Sequence, residues 1–231
     1  MLEMINQGTI SKIKETYGGE FFKWTVKKDV VIHLYYRRYS FNEAVKKELP
    51  YTIVYEIYEL ESAVSSKNSS EISSLDFSEL KILRTSYGKP YLAISSDSMP
   101  QNQTTQFYFN ISNTSQSFVI AFSESEIGVD MESISDHDFT KDHMNDLIKT
   151  SFSLEEQYYC ADNSSSIKQK VLEVWTRKES YLKMIGTGME ENPEDLANIN
   201  TCNFDKNKLF CCITSLLLTG EIISASVLIR T

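Results

Sequence analysis

The 231-residue sequence has no surplus of basic residues, no long apolar run, no cysteines at metal-binding spacing and only three histidines. Each shortage removes a class of function. With 32 acidic residues against 23 basic ones the formal charge is −9, which argues against a nucleic-acid-binding module, since such modules present a basic face to phosphates. An anionic small ligand stays open, because local clusters outweigh the total. The longest apolar stretch, residues 210–218, is interrupted by Thr214 and Ser215 and falls short of the roughly 18 residues that a membrane span requires. Met1-Leu2-Glu3-Met4 lacks the basic head and apolar run of a secretory signal, so a cytoplasmic protein without a membrane partner is expected. Cys160, Cys202, Cys211 and Cys212 have no Cys-x2-Cys spacing and are expected as buried thiols, not as disulfides or a zinc site. His33 falls in a predicted strand. His137 and His143 are six apart beside several aspartates, a spacing that shares no helical face and reads as a polar loop, not a metal site.

What is present suits a folded domain. Apolar residues make up 41% and charged residues 24%, and the length allows one sizeable core or two subdomains of about 100 residues each. Strand patterns run over 20–26, 29–36, 80–84, 107–111, 117–122 and 126–132, with three more between 201 and 230. A helical pattern opens at Asn42-Glu43, is kinked or restarted at Pro50 and resumes to Leu60. Helices are predicted over 142–151, over 154–161 behind Ser153 as N-cap, and over 168–184, closed by Gly186-Thr187-Gly188. Serine-rich residues 62–74 and polar residues 95–105 read as loops, and Tyr87-Gly88-Lys89-Pro90 as a turn. No short repeat is visible. The expected fold class is α+β with mostly antiparallel strands. A layout of two subdomains, 1–124 and 125–231, fits the distribution of elements.

Two segments can carry chemistry. In Gly128-Val129-Asp130-Met131-Glu132 the carboxylates are two apart in a predicted strand, so they share a face while Val129 and Met131 point into a core. Two acids on one face repel, and a hard divalent cation such as Mg2+ relieves that repulsion. Incidental charge at a solvated strand end explains the pattern equally well on its own. In the long helix, Trp175, Glu179 and Lys183 recur every fourth residue along one stripe. Here too a plain reading competes, with Glu179–Lys183 as a surface ion pair, Arg177 and Lys178 in solvent and Trp175 in the core.

Taken together, these segments resemble the Sfp-type 4′-phosphopantetheinyl transferases. Those enzymes carry a Gly-Ile/Val-Asp-x-Glu segment followed by Trp-x-x-Lys-Glu-x-x-x-Lys, matched here at residues 128–132 and from Trp175 to Lys183. Upstream, Gly88-Lys89-Pro90 matches the family's Gly-Lys-Pro turn, and Phe109-Asn110-Ile111-Ser112-Asn113-Thr114 its Phe-Asn-Ile/Leu-Ser-His-Ser strand. Gly186-Thr187-Gly188 falls where the family has Gly-x-Gly. Residues before about 35 and after 190 follow only the general pattern.

The resemblance implies a fold of two similar pseudo-symmetric subdomains, each with antiparallel strands and a long helix. The first would cradle coenzyme A, and the second would hold the metal and the catalytic helix. It implies Mg2+-dependent transfer of phosphopantetheine from coenzyme A to a serine of an acyl- or peptidyl-carrier protein by a monomer, releasing adenosine 3′,5′-bisphosphate. Asp130, Glu132 and Glu179 would ligate Mg2+. Glu179 would also be the general base, and Lys183 would offset charge on the transferring phosphate. Lys89, Pro90, Ser112 and Asn113 would hold the coenzyme, with Arg37, Arg38 and Lys46 near its 3′-phosphate. Apolar residues around Met144 to Phe152 would face the carrier. One departure is plain: Asn113 and Thr114 stand where the family usually has His-Ser. A carboxamide can donate a hydrogen bond but cannot carry charge. Weakened coenzyme binding or a shifted pH dependence is expected, the alternative being a non-catalytic coenzyme- or carrier-binding homologue. A Mg2+ phosphodiesterase of another kind is the remaining reading.

Overall fold

Strict alternation organises the middle of the chain. In the strand Ser117–Ser123 (β7), Phe118, Ile120 and Phe122 enter one apolar cluster while Val119 and Ala121 enter another, so the strand is buried on both faces. The computed structural model describes residues 9–16, 18–27, 30–39, 49–55, 57, 80–94, 108–162, 166–187, 203–205, 208–217 and 219–228. The predicted loops at 62–74 and 95–105, the start of the first helical pattern, Lys46 and Gly188 lie outside them.

Three antiparallel strands, Thr9–Thr16 (β1), Gly19–Lys27 (β2) and Val30–Arg38 (β3), join β7 and Tyr108–Asn113 (β6) in a sheet of order β1-β2-β3-β7-β6. Two strands, not three, are predicted in this opening region. The missed one, β1, is an edge strand whose register shifts between Lys12 and Lys14, so its sequence shows no clean alternation. Residues 49–55 are helical (α1), and Pro50 lies among them. The hairpin Leu80–Arg84 (β4) and Pro90–Ile94 (β5) turns at Gly88, whose φ of 86° favours glycine.

A second sheet, of order β8-β11-β10-β9, is built from Ile127–Ser133 (β8), Asn203–Asp205 (β9), Lys208–Leu216 (β10) and Glu221–Leu228 (β11). The helices Lys141–Ser151 (α2), Leu154–Ala161 (α3) and Ile167–Ile185 (α4) complete the chain. Ser153 caps α3 with a full capping box through Glu156, and Gly186, at φ 81°, ends α4.

The two sheets pack face to face. Trp24, Ile32, Leu34, Val119 and Ala121 of the first meet Ile127, Val129, Met131, Ile223 and Val227 of the second in one core. The far side of the first sheet is covered by Ile53, Val54 and Ile57, with Leu92 of the hairpin. The far side of the second carries α4, with α2 and α3 packed on it through Met144, Phe152, Cys160, Val171 and Val174. Cys160 and Cys212 are buried free thiols, as expected. This is a mixed α+β fold with antiparallel sheets. No helix of the described residues is long and apolar enough to cross a membrane.

Candidate functional site

The site begins with a glycine. A Cβ at Gly128 would fall 2.0 Å from the Ser180 carbonyl oxygen and 2.3 Å from the Met184 nitrogen, so only glycine lets α4 lie directly on β8. The floor beneath α4 continues in small hydroxyl residues of β11. Ser224 and Ser226, cross-strand partners of Asp130 and Gly128, bond Thr176 Oγ1 at 2.7 Å and Ser180 Oγ at 2.9 Å. Thr214 adds a contact to Ser224 and accepts from Arg177 Nε at 2.7 Å. This close seating brings the last turns of α4 against the outer face of β8.

The Phe-Asn-Ile-Ser strand supplies the second support. β8 is the edge of its sheet, so alternate N–H groups point outward without a strand partner. Asn110 Oδ1 accepts from Val129 N at 3.0 Å and Ser112 Oγ from Met131 N at 3.1 Å. The period of two along β6 thus meets the period of two along β8, and two side chains satisfy an edge that a backbone would otherwise pair. Phe109, on the opposite face of β6, fills the core.

At this junction three carboxylates meet one ammonium. Asp130 is 4% exposed. Its Oδ1 accepts from Lys183 Nζ at 2.6 Å and from Ser112 Oγ at 3.0 Å. Its Oδ2 is buried without a protein partner. Burial pushes the Glu179 carboxyl above its ordinary range, and the charges of Asp130 and Glu132 add to the shift while Lys183 opposes it. Glu132 is raised by burial and by Asp130, against a hydrogen bond from His137. His137 Nε2 lies 2.7 Å from Glu132 Oε2. Three mutually repelling acids, one with an orphaned oxygen, need more positive charge than one lysine brings.

The donor set fits a hard divalent cation such as Mg2+: all oxygen, predominantly carboxylate, with a free lone pair on Asp130. As placed, no three His, Cys, Asp or Glu side chains among the described residues converge closely enough to hold one. Lys183 occupies Oδ1 of Asp130 and His137 occupies Oε2 of Glu132, which leaves the second oxygen of each carboxylate as the candidate ligand.

The structure brings Asp130, Glu132, Glu179, Lys183 and Ser112 together and leaves the other sequence candidates apart. Ser112 is buried, and its one proton is committed to Asp130 while its oxygen accepts from Met131 N and, at 3.3 Å, from Lys183 Nζ. Lys89, on the turn leading into β5 at Pro90, donates to Glu126 Oε2 and to the Met184 carbonyl, both at 2.6 Å, clasping the hairpin to the end of α4. Glu126 precedes Asp130 by four residues, about 13 Å along a strand. Asn113 is exposed at the end of β6. Arg38 donates to Gln116 at 3.3 Å, and the Arg37 guanidinium packs beside Gly18.

Two features differ from the solvated reading of the helix. Lys178 is 2% exposed and pairs with Glu156 at 2.9 Å, and Arg177 is buried on Thr214. Lys183 pairs with Asp130, not with Glu179. Met144 and Phe152 are core residues, so the apolar stretch between them does not offer those two side chains to a partner. Two residues were missed. Asn110 could have been found from its two-residue offset to Ser112. His137 carried no signal, since its contact depends on the turn after β8.

Comparison with known proteins converges on the same region. The family model described as the 4′-phosphopantetheinyl transferase superfamily matches residues 126–224. A relative, 4′-phosphopantetheinyl transferase gsp of Aneurinibacillus migulanus, is 31% identical over 127 residues, 54% of this chain and 44% of that protein. The chain thus matches less than half the length of this relative.

Proposed function

We infer that this chain, which belongs to the 4′-phosphopantetheinyl transferase superfamily through residues 126–224, transfers 4′-phosphopantetheine from coenzyme A to a serine of an apo acyl- or peptidyl-carrier protein. The reaction is Mg2+-dependent, releases adenosine 3′,5′-bisphosphate and runs on a monomer, with residues 1–124 cradling the coenzyme and 125–231 holding the reacting centre. One observation supports this best: three acids and Lys183 converge with Asp130 Oδ2 left over.

Asp130, Glu132 and Glu179 would hold Mg2+, which when bound supplies charge neutralisation at the pyrophosphate. Glu179 accepts the proton of the carrier serine; in the metal-free protein burial and the charges of Asp130 and Glu132 raise its pKa above the ordinary carboxylate range. The serine oxygen bonds to the phosphorus of the pantetheine phosphate as the pyrophosphate P–O bond breaks, and the nucleotide leaves with that electron pair. Lys183, 32% exposed by its side chain, swings from Asp130 toward the charge growing on the phosphoryl oxygens. Ser112 and Asn110 act from behind, fixing Asp130 and β8. Lys89, Pro90, Asn113, Arg37, Arg38 and Lys46 are the candidates for the coenzyme's own contacts.

The test is incubation with Mg2+, coenzyme A and a panel of apo carrier proteins, read by intact mass. A carrier heavier by one phosphopantetheine group is the expected result. Coenzyme A bound without transfer would favour the non-catalytic homologue, and small phosphates released without a carrier would favour a phosphodiesterase.

A further inference from the structure

The turn after β8 holds a histidine against the site with more structure than chance contact requires. Ser133 Oγ and Ser135 Oγ bond at 2.8 Å, and Ile134 N donates to the Gly220 carbonyl at 3.1 Å. Asp136 Oδ2 accepts from Ser115 N at 3.0 Å, tying the turn to the loop between β6 and β7. The His137 ring then stacks on Phe139, 4.9 Å between centroids and 4° from parallel, before Thr140 caps α2. Its plane is fixed by the stack and its height by the anchored turn, and its Nε2 meets Glu132 Oε2 at 2.7 Å. A carboxylate only accepts, so the imidazole donates in this contact.

We propose that His137 is a positioning residue: its Nε2–H holds one oxygen of Glu132 so that the other is presented toward Asp130 and Glu179 as a cation ligand. The inference rests on the metal-dependent reading above. The physical reason is that a ligating carboxylate with a free torsion must lose that freedom on binding, and an outer hydrogen bond removes it beforehand. Loss of such a partner weakens metal affinity by about 10-fold or more. His137 touches neither substrate nor reacting atoms, so it acts through Glu132.

The experiment uses Mn2+ as an EPR-visible probe, titrated into the full chain with coenzyme A present, for wild type, His137→Phe and His137→Gln. Phenylalanine keeps the stack on Phe139 and loses the donor; glutamine keeps an N–H donor. About 10-fold weaker Mn2+ binding in His137→Phe is expected, with substantial recovery in His137→Gln and an unchanged unfolding midpoint in both. In turnover assays the KM for metal should rise in His137→Phe while kcat at saturating metal stays near wild type. Unchanged Mn2+ affinity in His137→Phe overturns the proposal, as does equal weakening in both variants, which would assign the effect to ring packing. Absence of Mn2+ binding by wild type overturns it along with the metal-dependent reading. Mn2+ binding that weakens as described, without transfer to any carrier, sustains the positioning role and overturns the transferase reading alone.

Discussion

Helix α4 meets acids on two sides, and the two encounters differ in one respect that separates architecture from chemistry. Toward α3, Lys178 pairs with Glu156, Lys170 with Asp162, and Glu173 accepts from Tyr159 at 2.6 Å and Gln169 at 2.9 Å. Every charge there has its partner, and among the described residues no buried side-chain oxygen or nitrogen of these groups is unsatisfied. Toward β8, one ammonium faces three carboxylates, and an oxygen of Asp130 has no partner. A satisfied polar cluster specifies how helices dock. An unsatisfied one keeps electrostatic strain that a ligand can relieve, which is why perturbed groups mark functional sites.

The contrast breaks most sharply at Glu179. Glu179→Gln should lower transfer about 10³-fold, the scale of a lost general base, with an unaltered circular dichroism spectrum. Retained activity would remove Glu179 from the reaction. Next comes the seating of α4 itself. Gly128→Ala places a methyl against backbone atoms that cannot rotate away, so both stability and turnover should fall, by at least about 3 kcal/mol in denaturant melts. The opposite profile is expected on the other side of the helix. Lys178→Met leaves Glu156 without its charged partner and should cost about 3 kcal/mol while kcat changes little, because nothing in that cluster reaches the carboxylate site.

A smaller effect follows from pH. Glu132 and Glu179 have folded-state pKa values above the ordinary 4.5. The folded protein therefore binds more protons than the unfolded chain in the range just above 4.5. Stability of the metal-free protein is fully present below that value and declines as pH rises through the raised values. Thermal melts from pH 4.5 to 7 should follow that decline, Mg2+ or Mn2+ should reverse it, and Glu179→Gln should flatten it. Transfer runs the other way, because protonated carboxyls neither bind a cation nor accept the serine proton. At subsaturating metal its acid limb should lie above the ordinary carboxylate range. A pH-independent melting temperature would show that the three acids do not repel.

Much of this contrast was legible in the sequence, and the illegible part has a common cause. Asp130 and Glu132 on one face, the cap at Ser153 and the stop at Gly186 are local facts, fixed by strand and helix periods. The burial of Lys178 and Arg177 was not, since a charged residue on a helix reads as solvated until a partner on another element, Glu156 or Thr214, is known. The clasp of Asn110 and Ser112 requires knowing that β6 runs along the edge of β8. His137 requires the course of the turn beyond Ser133. β1 was hidden by a bulge that breaks the alternation by which strands are read.

The smallest effect belongs to Asn113, where the chain departs from the pattern of the family it resembles. Alternation along β6 turns Asn110 and Ser112 toward β8, which places Asn113 on the other face of the strand, exposed at its end. It therefore does not face the carboxylates, and under the proposed function it is a candidate for the coenzyme's contacts. Thr114 is occupied by the adjoining turn, its hydroxyl 2.9 Å from Ser117 Oγ and accepting from Ser117 N at 3.1 Å. Asn113→His replaces a neutral donor with one that can carry charge, and the KM for coenzyme A should fall about fivefold, the ~1 kcal/mol by which a charged hydrogen bond exceeds a neutral one, with kcat unchanged. The change should grow as pH falls toward the imidazole pKa and vanish above it. A gain in kcat would instead place position 113 at the reacting centre, and with it would dissolve the division between the strand face that positions Asp130 and the face proposed to meet the coenzyme.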